Sequence, residues 1–242
     1  MTPPISQGYV EFALGEETLH FELRRSSRRS IGISVEPGGA VVVTAPNRAS
    51  MGKIYETLQK HRRWVRRQRS KLRDTPLPPP PPKWIEGEIH AFLGNPYPLR
   101  LLPGVEKGVW RTDHELLVHL PNPEKRKMVR EVVEGWMREE AGVLFLHRME
   151  ALIRGTPALE VQEIPTLKLR RMKSRWGSCS PEGRILMNTH AIKLPLRLVD
   201  YILLHELCHL QVPNHSREFW SYLGRCMPDW QKRKAALDRQ AV

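Results

Sequence analysis

The stretch "YILLHELCHLQVPNHSREFW", residues 201–220, is typical of an apolar helix that stops at a proline. Within it, His205, Glu206 and His209 form an H-E-x-x-H motif. Four residues of a helix turn through about 400°, so the two imidazoles lie on one face, one turn apart. They can therefore share one metal ion. Glu206 is turned about 100° away from His205, which suits a general base beside that ion.

A third histidine, His215, follows after a break in the helix. On an unbroken helix it would lie about 9 Å further along the axis than His209, too far to share an ion. Pro213 ends a helix and Asn214 tolerates a turn, so the chain can bring His215 back. Three neutral nitrogens and one water form the open arrangement of a catalytic zinc site. The pattern predicts one Zn²⁺ per chain, held by His205, His209 and His215.

The cysteines leave other interpretations open. Cys179, Cys208 and Cys226 are few and odd in number, so reduced thiols are expected rather than a disulfide scaffold. A closed, structural zinc site would need Cys179 or Cys208 as a fourth ligand. Cys208 is awkwardly placed beside His209 on the helix, whereas Cys179 stays a candidate. The histidines can also be ordinary surface or core residues.

Charge is concentrated in one segment of this 242-residue chain, whose net charge is +13. Residues 24–73 contain fourteen Lys and Arg against Glu36 and Glu56, a net charge of +12. Such an excess is typical of a surface for a polyanion, which can be nucleic acid, an anionic membrane face or an acidic partner, or of a well-solvated basic surface. DNA is one candidate partner for residues 24–73. The candidate nucleic-acid-binding residues lie on one predicted helix and are Arg62, Arg63, Arg66, Arg67 and Arg69. No early apolar run resembles a signal peptide and no stretch is long enough to span a bilayer, so we expect a soluble, cytoplasmic protein without a membrane partner.

The order of the elements predicts an α+β protein with two domains. Residues 1–122 are expected to be mainly β, with short alternating strands and one basic helix over 51–73 that Ser50 caps. A Pro-rich connector covers residues 75–83. Residues 123–242 are expected to be mainly helical, beginning with a long amphipathic helix and including a small sheet.

Residues 170–223, "RRMKSRWGSCSPEGRILMNTHAIKLPLRLVDYILLHELCHLQVPNHSREFWSYL", resemble the YgjP-like metallopeptidase domain. The resemblance rests on R-W-G-S-C, on the stretch from Asn188 to Pro195, and on H-E-L-x-H-L-x-x-x-N-H-S-x-x-F-W. The upstream segments "RRSSRRSIGISVEPGGAVVVTAP" and "GEIHAFLGNPYPLRL" are similar to the N-terminal region of the family. The resemblance implies a zincin-like catalytic domain over 123–242 and a kinship with the SprT-like and WLM proteases, some of which act on DNA-bound proteins.

The resemblance also assigns roles to residues. It implies that His215 is the third zinc ligand and that the turn with Arg175 and Trp176 lies near the zinc, where Arg175 can stabilise an oxyanion. Tyr201, one turn before His205, is either a hydrogen-bond donor to the site or a core residue. The strand "TLKLRRM", residues 166–172, is expected beside the site and can bind an extended peptide along its edge.

Three functions fit these features. The first is a zinc endopeptidase in which Glu206 deprotonates zinc-bound water for attack on a peptide carbonyl, with DNA-associated proteins among its substrates. The second is a metal-dependent nucleotide phosphohydrolase, which the five cations between Lys168 and Arg175 would suit. The third is a nucleic-acid-binding protein with a structural zinc site, although such a site has no use for Glu206.

Overall fold

The computed structural model describes residues 7–14, 17–73 and 80–240. The chain divides into two compact units, Met1–Pro80 and Pro81–Val242. The predicted α+β class is confirmed in its coarse form, since helices are combined with several small sheets. Of the predicted connector over 75–83, residues 75–79 lie outside the described residues. No helix within the described ranges is long and apolar enough to cross a membrane.

The first unit contains a four-stranded sheet in the order β1-β2-β4-β3. Its strands are β1 (Gln7–Leu14), β2 (Glu17–Ser26), β3 (Gly32–Val35) and β4 (Val41–Pro46). Strands β3 and β4 form a hairpin, which turns at Gly38 and Gly39, both with positive φ. Alternate residues of β2 are fully buried, namely Leu19, Phe21 and Leu23. The period of two therefore places one face of the sheet on a core.

The basic helix predicted as a single element over 51–73 is two consecutive helices, α1 (Met51–Lys60) and α2 (Arg62–Leu72). As predicted, Ser50 caps the first, since its side chain accepts a hydrogen bond from the backbone N–H of Lys53. His61 lies between the helices with φ −98° and ψ 11°, outside helical values. The prediction of one helix is wrong in this respect because sequence periodicity does not reveal a one-residue break.

The second unit combines a four-stranded sheet, a three-stranded sheet and long helices. Its elements are β5 (Ile89–Phe92), β6 (Asn95–Pro103), β7 (Gly108–Arg111), β8 (Leu116–Leu120), α3 (Arg126–Gly155), β9 (Leu167–Arg170), β10 (Gly177–Cys179), β11 (Ile185–Asn188), α4 (Leu196–Cys208), α5 (Arg217–Cys226) and α6 (Trp230–Leu237). The larger sheet has the order β5-β6-β8-β7 and the smaller one β10-β11-β9.

Helix α3 joins the elements of this unit into one core. Its buried residues recur every four positions and are Val129, Val133, Met137, Ala141, Phe145 and Met149. Residues of β6 and β8 belong to the same core as α3 and α4. The domain boundary predicted between residues 122 and 123 therefore falls inside the second compact unit. The assignment of functional domains on either side of it stays a prediction.

Helix α4 lies deep in this core and carries His205 and Glu206 of the H-E-x-x-H motif. Arg148 of α3 forms a bidentate ion pair with the buried Asp200 of α4, with Nε–Oδ1 and Nη2–Oδ2 distances of 2.8 Å. Two parallel charge-assisted bonds fix both position and direction. The register of α4 against α3, and with it the placement of His205, is therefore well defined.

Candidate metal centre

The three histidines of the opening stretch meet at one point. Nε2 of His215 lies 2.8 Å from Nε2 of His205 and 3.1 Å from Nε2 of His209. Helix α4 ends at Cys208, and His209 follows as its cap. The chain then turns through Pro213, as predicted, and brings His215 back to the other two rings.

These rings fit a metal ion. Nδ1 of His209 lies 3.0 Å from the carbonyl oxygen of Val212 and must carry the proton to donate to it, so the lone pair is on Nε2. Burial, with His209 and His215 close by, lowers the pKa of His205 to about 3, so its ring is neutral at pH 7. Ligand atoms of the three residues all lie within 4.8 Å of one another. Three neutral nitrogens that converge this closely are the donor set that zinc and similar ions prefer.

Aromatic rings hold the imidazoles in place. The ring of Phe219 stacks on His209 at 4.4 Å, and that of Trp220 stacks on His215 at 5.5 Å, measured between centroids. Ser216 caps α5, because its hydroxyl accepts from the backbone N–H of Phe219. The N-H-S-x-x-F-W segment thus combines a turn, a helix cap and two rings that orient the histidines, a role that we did not predict from the sequence.

Tyr201 lies against the ring of His205, with 5.8 Å between the ring centroids. The buried Nδ1 of His205 has no hydrogen-bond partner in the described part of the chain. Tyr201 therefore packs on His205 without donating to it. Of the two roles expected from the sequence, its position in the structure matches that of a core residue, only 3% exposed.

Glu206 occupies the same cavity as the three histidines, a space of about 430 Å³. Only 6% of the residue is exposed, and this burial raises the pKa of its carboxyl to about 7. The positive charge of Arg175 and a hydrogen bond from the backbone N–H of Cys179 oppose that rise. The carboxylate lies outside the cluster of histidine ligand atoms, which leaves it free to exchange protons.

Gly177 makes room for this carboxylate. A Cβ atom at position 177 would lie 2.7 Å from Oε1 and 2.8 Å from Cγ of Glu206. Both distances are shorter than any normal contact, so a side chain there must displace Glu206. The glycine of R-W-G-S-C is thus required by the side chain of the H-E-x-x-H motif, a contact that sequence spacing does not reveal.

Asn188 fixes the loop that leads to Gly177. It is completely buried, and its side-chain amide donates to the carbonyl oxygens of Met172 and Arg175 at 2.9 and 3.0 Å. Its backbone N–H donates to the carbonyl of Trp176 at 2.8 Å. A buried amide whose bonds are satisfied holds its partners firmly. Asn188 therefore positions the segment that carries Arg175 into the cavity.

Comparison with known proteins agrees with this geometry. The family model for the YgjP-like metallopeptidase domain matches residues 29–240. The chain belongs to the YgjP-like metallopeptidase family. Membership implies a bound metal and peptide or protein substrates.

Among solved structures, this YgjP-like chain is similar to crystal structures of two metallopeptidase zymogens. Abylysin of Pyrococcus abyssi is 23% identical with a TM-score of 0.35, and the match covers 40% of this chain and 99% of that one. Jannalysin of Methanocaldococcus jannaschii is 19% identical with a TM-score of 0.34, covering 39% of this chain and 94% of that one. No curated protein matches the chain significantly.

The strand beside the metal centre of this YgjP-like protein is β10, not the predicted strand "TLKLRRM" around β9. Gly177, Ser178 and Cys179 of β10 line the cavity, whereas no residue of β9 does. The order β10-β11-β9 leaves one edge of β10 without a neighbour in the three-stranded sheet. The prediction of β9 is wrong because a three-residue strand in a Gly-containing turn gives no alternating pattern.

The five cations between Lys168 and Arg175, all of which the structure describes, do not gather at the histidines. Arg175 lines the cavity, whereas Lys168, Arg170, Arg171 and Lys173 do not. A phosphohydrolase would need several of them around its phosphate. The positions of these cations therefore do not support a phosphohydrolase.

Cysteine ligation also lacks support from the geometry. Cys179 lines the cavity, but its Sγ donates to the carbonyl oxygen of Ser180 and is outside the cluster of histidine ligand atoms. Cys208 is completely buried, and burial raises the pKa of its thiol, with Cys226 as its neighbour. Among the described residues, neither thiol therefore belongs to the group of ligand atoms that converge at the histidines.

The predicted nucleic-acid-binding residues lie on α2 in the first unit. Arg62, Arg63, Arg66 and Arg67 are exposed, and Arg69 is half-buried. Trp64 on the same helix is 40% exposed. The helix thus has an exposed cationic surface with an aromatic side chain, and DNA binding by these residues stays a prediction.

Proposed function

We propose that this YgjP-like metallopeptidase is a zinc endopeptidase that uses Glu206 as its general base. The observation that supports the proposal most is the meeting of His205, His209 and His215, through Nε2 atoms 2.8 and 3.1 Å apart, in the cavity that also holds the buried Glu206 carboxylate. A structural site would not need a carboxylate there, because its ligands alone complete it.

The three Nε2 atoms would hold the zinc ion. When bound, zinc polarises a carbonyl oxygen and lowers the pKa of a water molecule. Phe219 and Trp220 keep the rings in place, and the carbonyl of Val212 keeps the proton of His209 on Nδ1. Partners that orient a ligand in this way strengthen metal binding.

Glu206 would accept a proton from the attacking water and deliver it to the leaving amine. A general base works best when its pKa is close to the operating pH, and burial raises the pKa of Glu206 to about 7. Gly177 leaves the space in which the carboxylate lies, and the N–H of Cys179 orients it. Strand β10 thus helps to hold the general base in position.

Arg175 and the edge of β10 would bind the substrate. The exposed guanidinium of Arg175 lines the cavity and would stabilise the negative charge that develops on the carbonyl oxygen. The edge of β10 without a strand neighbour would pair with an extended peptide. Backbone pairing of this kind accepts many sequences, which suits an endopeptidase.

We further propose DNA-associated proteins among the substrates. The support is the +12 charge of residues 24–73 and the exposed arginines of α2. Arginines on one helix face bind phosphates without regard to base sequence. Nucleic acid held in this way would raise the local concentration of proteins bound to it.

Cleavage of casein by the purified chain tests the proposed function. We expect cleavage that a chelator abolishes and that stoichiometric Zn²⁺ restores, because the three histidines hold the ion. Cleavage that is equally fast after complete metal removal would contradict the proposal. Casein and a DNA-binding protein, each with and without DNA, provide the matched comparison: DNA should accelerate cleavage of the second substrate alone.

A further inference from the structure

The second unit contains another cavity, which is separate from the metal centre. It encloses about 210 Å³ and shares no lining residue with the histidine cavity. Helix α3 contributes Glu134, Met137 and Arg138, and the chain after β9 contributes Arg171. The 3-10 turn that ends at Lys193 contributes Thr189, His190 and Lys193. Side chains that are distant in sequence thus converge on one small space.

The cavity has an excess of positive charge. Arg138, Arg171 and Lys193 line it together with one carboxylate, that of Glu134, so three positive charges face one negative charge. Both oxygens of that carboxylate are already bonded, Oε1 to Arg171 at 3.2 Å and Oε2 to Arg130 at 3.1 Å. Within the described residues, neither Lys193 nor Arg138 has an ion-pair partner within 4 Å. The net lining charge is +2.

Partial burial makes the excess of positive charge in this cavity energetically unfavourable. Lys193 is half-buried, and burial lowers the pKa of its ammonium; the carboxylate of Glu134 opposes this fall and the nearby Arg171 adds to it. Burial and the same two cations lower the pKa of His190 to about 4, so its imidazole is neutral at pH 7 and can donate or accept a hydrogen bond. With one carboxylate against three cations, the partly buried ammonium of Lys193 favours an additional anion in the cavity.

We propose that this cavity binds a phosphate group, either free phosphate or the terminal group of a phosphomonoester. A dianion matches the net charge of +2, and its several oxygens can accept bonds from a guanidinium, an ammonium and a hydroxyl at once. Arg138, Lys193 and Thr189 supply these donors from two elements. A monocarboxylate has half the charge and fewer acceptor oxygens, and therefore fits the cavity less well.

Calorimetric titration of the full-length, metal-loaded chain tests this proposal. The probes are inorganic phosphate, adenosine monophosphate and acetate, at constant ionic strength. We expect one saturable phosphate site per chain and weaker binding of acetate. Phosphate and adenosine monophosphate in separate titrations distinguish the free anion from the phosphomonoester, and binding of either supports the proposal.

Two charge-removing variants locate the site. Lys193→Gln and Arg138→Gln should each weaken phosphate binding about tenfold or more, because each removes a charge-assisted bond. Arg138 is exposed, so its variant is expected to fold normally even if Lys193→Gln does not. Lys168→Gln, an exposed cation on β9, is the matched control and should leave affinity unchanged. Absence of saturable phosphate binding, or equal affinity in the wild type and both variants, would overturn the proposal. Phosphate bound at the metal centre would respond to neither variant.

Discussion

Replacing Glu206 with glutamine is expected to lower peptide cleavage by about 10²- to 10⁴-fold, the usual contribution of general acid–base catalysis. The substitution keeps the shape of the side chain and removes its ability to accept a proton. Because the carboxylate is outside the cluster of histidine ligand atoms, the zinc content should stay at one ion per chain. Since burial disfavours the charged carboxylate, the neutral amide should also fold without loss of stability.

The measurement is the rate of casein cleavage, with the metal content determined on the same samples. Glu218→Gln is a matched control, because Glu218 is an exposed acid in the first turn of α5. It should retain wild-type activity. Undiminished cleavage by Glu206→Gln would show that another group takes the proton and would remove Glu206 from the mechanism.

Replacing Gly177 with alanine is expected to lower cleavage by about 10²-fold or more while metal binding persists. The new methyl group would overlap Oε1 and Cγ of Glu206, which must then leave its position beside the N–H of Cys179. A misplaced general base loses its geometric advantage even when its chemistry is unchanged. The histidine ligands belong to α4 and the chain after it, so they should keep the zinc.

Gly135→Ala is the matched control for this substitution. Gly135 lies in α3, and a Cβ at that position meets nothing within 4 Å. Alanine there should leave cleavage unchanged and stabilise the helix by about 1 kcal/mol. The assay compares kcat, zinc content and thermal unfolding for both variants. Wild-type kcat in Gly177→Ala would show that the position of Glu206 is not critical.

The three metal ligands could be predicted from the sequence because they lie close together along the chain. His205 and His209 share a helix face, and Pro213 forces the turn that returns His215, all within a few helical turns of chain. The cap at Ser50 was predictable for the same reason, since it depends on neighbouring residues.

Contacts between residues that are far apart in the sequence could not be predicted in this way. Gly177 is required by Glu206, and Asn188 fixes the loop at Met172 and Arg175, yet no spacing rule connects these positions. The three-residue strand β10 is too short for a periodic pattern, whereas the sequence around β9 predicts a strand. The extent of the second unit depends on the packing of α3 against β8, which sequence composition does not report.

The X-ray absorption spectrum of the zinc-loaded chain identifies the atoms bound to the metal, and so shows whether the three histidines hold it. The expected result is imidazole nitrogens at about 2.0–2.1 Å from zinc, no sulfur ligand, and the same protein ligands in Glu206→Gln. A sulfur ligand at about 2.3 Å would contradict it, because Cys179 would then complete a closed, structural site.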